Sequence, residues 1–241
     1  MKNEGNVVVD IGNSKIKTAI FEGERLVARY TANQLEEVFQ QYDKPGYRWI
    51  FSSVGEDPTV HSQISALPDH LILTQDTPLP IVLDYHTPET LGVDRIAASV
   101  GAFHLYKKDC LVIDAGTCIT YDLVDKTGVY RGGAIAPGLR MRMKAMAHFT
   151  RRLPDVSTEW EEIPIRTQGK TTRECLVTGA FDGVVHEMDG FIEAFLKEYK
   201  DLAVILTGGD ANYFESKLKA PIFADFDLVL TGLNTILNYN K

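Results

Sequence analysis

The sequence has few cysteines and no long apolar run, and both shortages narrow the class of protein. Its three cysteines, Cys110, Cys118 and Cys175, form no C-x-x-C pair and lie inside apolar segments. They are interpreted as reduced, buried thiols rather than as a disulfide framework. No apolar run approaches the ~18 residues of a membrane span, and the N-terminus lacks the apolar core of a signal peptide. These features predict a cytoplasmic protein with no membrane partner.

Basic residues are scarce relative to acidic ones. The chain has 25 lysines and arginines against 33 aspartates and glutamates, which gives a formal net charge of −8. Proteins that bind nucleic acids present a basic surface to the phosphates, so this balance argues against a nucleic-acid partner. The length of 241 residues and the hydrophobic fraction of 44% are those of a globular protein with one large domain or two small ones.

One pattern occurs twice. The segments Val7-Val-Val-Asp-Ile-Gly-Asn-Ser14 and Leu111-Val-Ile-Asp-Ala-Gly-Thr117 each run from an aliphatic strand through an aspartate to a glycine and small polar residues. An ionised carboxylate at a strand end needs a partner or a cation, and the glycine leaves the backbone open to a ligand. Two coincidental strand–turn signals remain the alternative. Because the pattern opens each half of the chain, we favour a duplicated turn that handles phosphate or Mg²⁺, with Asp10 and Asp114 as equivalent carboxylates.

Each half of the chain shows the same order of predicted elements. A meander of three strands is followed by helices that alternate with further strands, so we predict an α/β fold in which a mixed sheet occurs twice. The predicted domains are residues 1–108 and 109–241, with ligands in the cleft between them. The meanders are predicted over residues 6–10, 15–21, 25–31, 110–114, 117–123 and 129–135. The main helices are predicted over residues 34–41, 59–67, 93–106, 139–149, 172–199, 211–218 and 228–238.

Two unduplicated segments carry further candidate chemistry. Gly92-Val-Asp-Arg95 opens the predicted helix over residues 93–106. Asp94 either favours the positive end of that helix or accepts a proton from a substrate hydroxyl while Arg95 binds an anionic group. Gly208 and Gly209 follow a predicted strand and precede a helix. Such a turn admits a phosphate or a flat group to the backbone, although a Gly-Gly pair is more often only a turn.

Taken in order, these motifs resemble those of the type III pantothenate kinases, a family in the actin, hexokinase and acetate-kinase superfamily of duplicated ATP-binding folds. The resemblance implies two similar ribonuclease H-like (actin-like ATPase) domains, each a mixed β-sheet flanked by helices. Two residues depart from the family pattern, because Ser14 stands where threonine is commoner and Cys118 where alanine is commoner. The matching segments are Asp10-Ile-Gly-Asn-Ser14 with Lys17, Tyr85 before Gly92-Val-Asp-Arg95, Asp114-Ala-Gly-Thr117 with Thr120-x-Asp122, Gly132-Gly-x-Ile-x-Pro-Gly138, Leu153-Pro154, Thr172-x-Glu174 and Thr207-Gly-Gly209.

The resemblance implies a role for each matched residue. Asp94 would accept the proton of the pantothenate hydroxyl, and Asp10 would hold Mg²⁺ through water. Asp114 would bind a monovalent cation, K⁺ or NH₄⁺, in place of the Mg²⁺ that symmetry with Asp10 suggested. The residues implied to bind ATP or its phosphates are Asp10, Ile11, Gly12, Asn13, Ser14, Lys15, Ile16, Lys17, Thr117, Gly208 and Gly209. Those implied to bind pantothenate are Tyr85, Gly92, Val93, Asp94, Arg95 and Thr172, with Thr172 contributed by the partner in a homodimer.

The implied activity is ATP-dependent phosphorylation of pantothenate to 4′-phosphopantothenate, the first step of coenzyme A biosynthesis. Two alternatives stay open. The first is another small-molecule kinase of the same superfamily, against which Tyr85 and the segment from Gly92 to Arg95 argue. The second is a non-enzymatic accessory factor for transcription, and the net charge of −8 argues against direct DNA binding by such a factor.

Overall fold

The computed structural model describes residues 5–12, 15–42, 46–53 and 58–241. Its strands are β1 (Gly5–Ile11), β2 (Ile16–Glu22), β3 (Arg25–Ala32), β4 (Tyr47–Ser53), β5 (His70–Ile72), β6 (Val82–Leu83), β7 (Cys110–Ala115), β8 (Cys118–Val124), β9 (Val129–Pro137), β10 (Ala203–Thr207) and β11 (Phe223–Ala224). Its α-helices are α1 (Leu35–Tyr42), α2 (Pro58–Ser65), α3 (Val93–Tyr106), α4 (Leu139–Phe149), α5 (Thr172–Glu198), α6 (Ala211–Phe214) and α7 (Leu228–Tyr239).

The chain divides into two compact units. Unit 1 contains the described residues of Met1–Lys108 together with Val124–Gly132 and Asp227–Lys241. Unit 2 contains Asp109–Leu123 and Gly133–Phe226. The units therefore differ from the sequential halves at residues 1–108 and 109–241, because two later segments group with the N-terminal residues. Unit 1 gains the whole of α7 in this way.

Unit 1 is built on a five-stranded sheet in the order β3-β2-β1-β4-β5. The antiparallel pairing of β1 with β2 and of β2 with β3 confirms the predicted meander. Strand β4 runs parallel to β1 on its other side, which makes β1 a central strand. Val7, Val8 and Val9 are consequently buried on both faces of the sheet. The end of β1 places Asp10 between Lys17 of β2 and Ser52 of β4.

Helices α3 and α7 of unit 1 pack with their backbones in direct contact. A Cβ on Gly232 would overlap the carbonyl oxygen of Ala97, and a Cβ on Gly101 would overlap that of Leu228. Glycine at both positions therefore permits a crossing that a larger residue would push apart. Helix α3 begins with Val93 and Asp94. This crossing therefore also helps to fix the position of the candidate catalytic segment within unit 1.

Unit 2 is built on the strand order β11-β10-β7-β8-β9. Strands β10 and β7 are parallel, with Thr207 opposite Asp114. Their aliphatic residues are buried, as the predicted continuous apolar runs require. Helix α5 buries one stripe, which includes Val177, Phe181 and Val184, against the same core. Both Asp114 and Thr207 consequently reach the same end of this sheet.

Most predicted elements are confirmed, and the exceptions are short. The helices predicted over residues 93–106 and 139–149 have those bounds, as α3 and α4. The helix predicted over 211–218 ends at Phe214, where the amide of Lys217 turns back to the Phe214 carbonyl oxygen at 2.8 Å. Strand β6 is not among the strands predicted from the sequence, because two residues are too few to show an alternating pattern.

The prediction that all three cysteines are buried is wrong for Cys175. Cys110 is buried and Cys118 is half-buried, but Cys175 is exposed. It lies in the first turns of α5, where Leu176 and Val177 occupy the buried stripe and the helical period turns the neighbouring residue outwards. In the described part of the chain, no helix combines the length and the apolar character needed to cross a membrane.

Candidate active site

The first acidic turn lies at the end of β1 in unit 1. Ser52 Oγ donates a hydrogen bond to Asp10 Oδ1 at 3.1 Å, and Lys17 is the cross-strand neighbour of Asp10. Burial raises the pKa of Asp10 above its usual value, and this outweighs the lowering by the Ser52 hydrogen bond and the Lys17 charge. The negative charge of Asp94 raises the same pKa further. The fold therefore brings the carboxylates of Asp10 and Asp94 within electrostatic range of each other.

The turn itself is only partly described. Asn13 and Ser14, which the sequence analysis assigned to ATP, lie outside the described residues. The amide of Gly12 donates to the carbonyl oxygen of Lys15 at 3.2 Å, which closes the hairpin between β1 and β2. Lys15 Nζ bonds Asn33 Oδ1 at 2.6 Å.

The side chains of the two isoleucines in this turn pack in or against the core and so offer a ligand little surface. Ile16 is 7% exposed and packs in the core of unit 1, and Ile11 packs against the same core. A contribution from Ile16 to phosphate binding would thus come from its backbone. Lys17 remains half-buried beside Asp10, which leaves a cation at this end of the sheet.

The segment from Gly92 to Arg95 forms the start of α3. Gly92 is the residue before the helix, and Asp94 Oδ1 accepts a hydrogen bond from the amide of Arg95 at 2.9 Å. A Cβ on Gly92 would overlap Asp94 Oδ1, so glycine leaves room for the carboxylate. Asp94 and Val93 are half-buried, whereas Arg95 is only 7% exposed. Asp94 therefore serves the helix start, and its charge also acts on Asp10, so its two sequence-based interpretations are compatible.

Tyr85 lies in unit 1 on the segment that follows β6. Its half-buried ring lies 5.9 Å from the fully buried ring of Tyr130, at an interplanar angle of 60°. Gly132 has a φ of +91°, and a Cβ there would come 3.8 Å from the Tyr85 ring. The Tyr85 ring thus packs against Tyr130 and lies beside the backbone of Gly132.

The second acidic turn and the Gly-Gly turn meet in unit 2. Gly208 has a φ of +99°, and a Cβ on it would overlap both Asp114 Oδ1 and the carbonyl oxygen of Ala115. The amide of Asp210 donates to that same carbonyl oxygen at 2.9 Å. Arg140 Nη1 in turn bonds Asp210 Oδ1 at 2.6 Å. Asp114 and Gly208 are therefore packed directly against each other, and only glycine at position 208 leaves room for the Asp114 carboxylate.

Thr117 lies at the exposed tip of the second acidic turn. The amide of Gly116 donates a hydrogen bond to the carbonyl oxygen of Cys118 at 2.9 Å. The amide of Gly138 donates one to the carbonyl oxygen of Thr117 at 3.1 Å. A Cβ on Gly138 would overlap the Gly116 and Thr117 carbonyl oxygens. The turn that carries Thr117 is therefore shaped by Gly138, at the start of α4, as well as by its own sequence.

Thr172 is the first residue of α5 in unit 2, and it is exposed. The residue before it, Thr171, accepts a hydrogen bond on its hydroxyl from the amide of Glu174 at 3.2 Å and so caps the helix. Thr171, and not Thr172, is therefore the capping residue of α5. The hydroxyl of Thr172 is not used as the helix cap.

Sequence reasoning missed Ser52 as a partner of Asp10. Ser52 comes opposite Asp10 only because β4 pairs in parallel with β1, and that pairing joins residues 42 positions apart. A polar residue near the end of a strand, as Ser52 is in β4, is too common to be singled out from the sequence. Arg140 was also missed as a partner of Asp210, because the two residues are 70 positions apart in the chain.

Comparison with known proteins decides the family. A model of the type III pantothenate kinase family matches residues 6–194. The chain belongs to this family. It is 43% identical over 238 residues to the type III pantothenate kinase of Cytophaga hutchinsonii, covering 98% of this chain and 99% of the relative. It is 46% identical over 244 residues to that of Bacteroides fragilis, covering 98% of each.

Solved structures confirm the predicted fold class. A structure described as a Baf family transcriptional activator from Campylobacter jejuni has a TM-score of 0.62 and 22% identity, covering 97% of this chain and 98% of that one. The ROK hexokinase of Thermus thermophilus has a TM-score of 0.52 and 15% identity, covering 96% and 98%. At these identities the similarity concerns the fold alone, which is the actin-like ATPase fold with two mixed sheets flanked by helices.

Proposed function

We propose that this protein transfers the γ-phosphoryl group of ATP to the primary hydroxyl of pantothenate, the first step of coenzyme A biosynthesis. The hydroxyl oxygen forms a bond to the γ-phosphorus, and the bond from that phosphorus to the bridging oxygen of ADP breaks. The hydroxyl proton goes to Asp94. The single observation that carries this proposal is that Asp94, at the start of α3, belongs to the same compact unit as Asp10, at the end of β1, where its charge raises the pKa of Asp10.

The acceptor side of the proposed site consists of residues around Asp94. Arg95 is a cation with little exposed surface and suits the carboxylate of pantothenate. Tyr85 offers a ring that packs against Tyr130, and Gly92 and Val93 bring the backbone of the helix start close to the substrate. Thr172 completes the proposed set from the second subunit of a homodimer. Its exposure at the first residue of α5 is compatible with that role.

The nucleotide side of the proposed site uses the two acidic turns. The first, from Asp10 to Lys17, would contact the phosphates through backbone amides and the Lys17 ammonium group. Thr117 would contact the nucleotide at the tip of the second turn. Gly208 and Gly209 would bring bare backbone to it. Phosphoryl transfer asks mainly for such positioning and for charge stabilisation around the phosphates.

The residues present fit the two cations that this family implies. Among the described residues, no group of three or more His, Cys, Asp or Glu side chains could hold a metal ion on its own. Asp10, a half-buried carboxylate, suits Mg²⁺ that is held mainly by phosphate oxygens and water. When bound, Mg²⁺ neutralises charge on the phosphates. Asp114 Oδ1 and the Ala115 carbonyl oxygen offer hard oxygen ligands beside Gly208, where the missing Cβ leaves room, and this set suits K⁺ or NH₄⁺.

The proposed reaction is tested by ADP release in the presence of ATP and Mg²⁺. Release should depend on pantothenate and should rise when K⁺ or NH₄⁺ is supplied. A panel of sugars and acetate tests the alternative of another small-molecule kinase, and retention on DNA at low salt tests the alternative of a transcription factor. Absence of pantothenate-dependent release with the cation supplied would sink the proposal. The proposed location is the cytoplasm, where ATP is available.

A further inference from the structure

The segment that carries Tyr85 is attached to residues 124–132 by a very short strand. Strand β6 has only two residues, and it pairs in parallel with Val129 and Tyr130 of β9. The amide of Val82 donates a hydrogen bond to the carbonyl oxygen of Gly128 at 2.8 Å. The amide of Asp84 donates one to the carbonyl oxygen of Tyr130 at 3.0 Å. A strand of this length holds a segment weakly, because short edge strands contribute little cooperative pairing. Further contacts are needed to fix the position of Tyr85.

Residues 124–132 are themselves held by Asp125. Its Oδ1 accepts hydrogen bonds from the Thr127 amide at 2.8 Å, the Thr127 hydroxyl at 2.6 Å and the Val129 amide at 3.1 Å. Its Oδ2 accepts a bond from Arg131 Nε at 2.8 Å. Asp125 is only 8% exposed, so these bonds are shielded from competing water. The carboxylate therefore fixes the turn and one edge of the Arg131 guanidinium together.

The opposite edge of the same guanidinium binds the segment of Tyr85. Arg131 Nη1 lies 2.8 Å from Asp84 Oδ2, and Asp84 directly precedes Tyr85. An isolated exposed ion pair contributes little, because two long side chains lose freedom when they meet. Here Asp125 has already ordered Arg131, so the bond to Asp84 forms at a lower entropic cost. The pair is thus better suited to fixing a position than to stabilising the whole fold.

We propose that Arg131 is a positioning residue for the acceptor site, which holds Tyr85 in place by joining Asp84 to Asp125. This inference rests on the proposed function, in which Tyr85 contacts pantothenate. The Tyr85 ring packs against Tyr130 and lies beside the backbone of Gly132, the two residues that flank Arg131. The Arg131 guanidinium therefore holds Asp84, the residue before Tyr85, and Arg131 is also the chain neighbour of Tyr130, against which the Tyr85 ring packs. None of the described contacts named above involves a residue assigned to ATP.

The decisive variant is Asp84→Ala, because it removes the bridge and leaves the Asp125–Arg131 bond in place. We expect the KM for pantothenate to rise about three- to tenfold, while the KM for ATP stays within about twofold. Arg131→Ala should also raise the KM for pantothenate. Arg131→Lys should raise it less, because an ammonium can pair with only one carboxylate at a time and so rescues the bridge only in part. The double variant Asp84→Ala/Arg131→Ala should be no worse for pantothenate than Arg131→Ala alone. Arg25→Ala, which breaks an exposed ion pair with Glu22, is the matched control and should change neither KM.

Hydrogen exchange gives a second readout that does not depend on activity. In Asp84→Ala, the peptide that covers residues 83–91 should exchange faster, while the peptide that covers α3 should not change. Unchanged exchange in residues 83–91 would overturn the proposal whether or not the protein phosphorylates pantothenate. Faster exchange with an unchanged pantothenate KM would overturn it as well.

The premise is tested separately by Tyr85→Ala. A raised pantothenate KM in Tyr85→Ala, with a normal value in Asp84→Ala, rejects the role of Arg131 and keeps the proposed function. A normal KM in both variants rejects the role of Tyr85, and with it the positioning role. Absence of pantothenate turnover in the unmodified protein rejects the proposed function instead.

Discussion

Gly232 of α7 packs directly against the carbonyl oxygen of Ala97 in α3, with no room for a Cβ between them. Gly232→Ala should therefore destabilise the protein by about 1–3 kcal/mol, the usual cost of overpacking a close contact. Because α3 begins with the segment that carries Asp94, displacement of α3 should also lower kcat. Urea unfolding and steady-state kinetics measure the two effects.

The control for this substitution is Gly190→Ala in α5. A Cβ on Gly190 would meet no atom of the described residues within 4 Å beyond the backbone of its own helix, so alanine there should be neutral or stabilising by up to about 1 kcal/mol. Equal destabilisation by both variants would show that the contact with Ala97 is not the cause.

Asp94→Asn should reduce kcat by about 10²- to 10⁴-fold, because an amide cannot accept the hydroxyl proton. The amide oxygen can still accept the hydrogen bond from the Arg95 amide that Asp94 Oδ1 accepts now. The melting temperature and ATP binding should consequently change little. Glu22→Gln, an exposed substitution at the end of β2, is the control. Near-normal turnover in Asp94→Asn would mean that Asp94 serves only the helix start.

Asp125 should make the stability of the protein depend on acidity. Burial raises its pKa, but hydrogen bonds from Thr127, Val129 and Arg131 outweigh burial and lower the pKa from 3.8 to about 2. A group whose pKa is depressed in the folded state stabilises that state above its unfolded pKa and loses this contribution as the pH falls. The unmodified protein should thus lose about 2 kcal/mol from this group between about pH 4 and pH 2.

Asp125→Asn should lack that part of the pH dependence, because asparagine does not titrate. Chemical unfolding of both proteins across this range measures the difference in free energy of unfolding. Parallel curves for the two proteins would contradict the prediction. At neutral pH the variant should be the less stable of the two, since it loses the ion pair with Arg131.

Gly208→Ala should raise the KM for ATP and weaken activation by the monovalent cation. The new Cβ would overlap Asp114 Oδ1 and the Ala115 carbonyl oxygen, and the φ of +99° is unfavourable for alanine. Kinetics with K⁺ varied at fixed ATP measure the effect. Gly209→Ala should leave the free energy of unfolding nearly unchanged, because a Cβ there would meet none of the described residues within 4 Å beyond its two chain neighbours. Equal loss of stability in both variants would show that the turn is sensitive to any side chain.

Local sequence signals were enough for the two meanders, for the acidic turns and for the bounds of α3. An aliphatic run that ends in Asp-x-Gly specifies a strand and a turn through residues that are neighbours in the chain. The order of the motifs was also enough to indicate the family. Strand β6 could not be found in this way, because Val82 and Leu83 are too few residues to show a pattern. The exposure of Cys175 depends on which stripe of α5 is buried, and that is decided by packing.

The sequence by itself determined that Asp10 and Asp114 stand at strand ends before a glycine and that Asp94 opens a helix. Only the tertiary structure decided which groups surround these carboxylates. Parallel pairing of β1 with β4 brings Ser52 to Asp10, and the unit that contains α3 brings Asp94 into range of it. Gly208 reaches Asp114 because β10 lies beside β7. Such partners are far apart in the chain, so their meeting depends on burial and sheet order, for which a local pattern carries no signal.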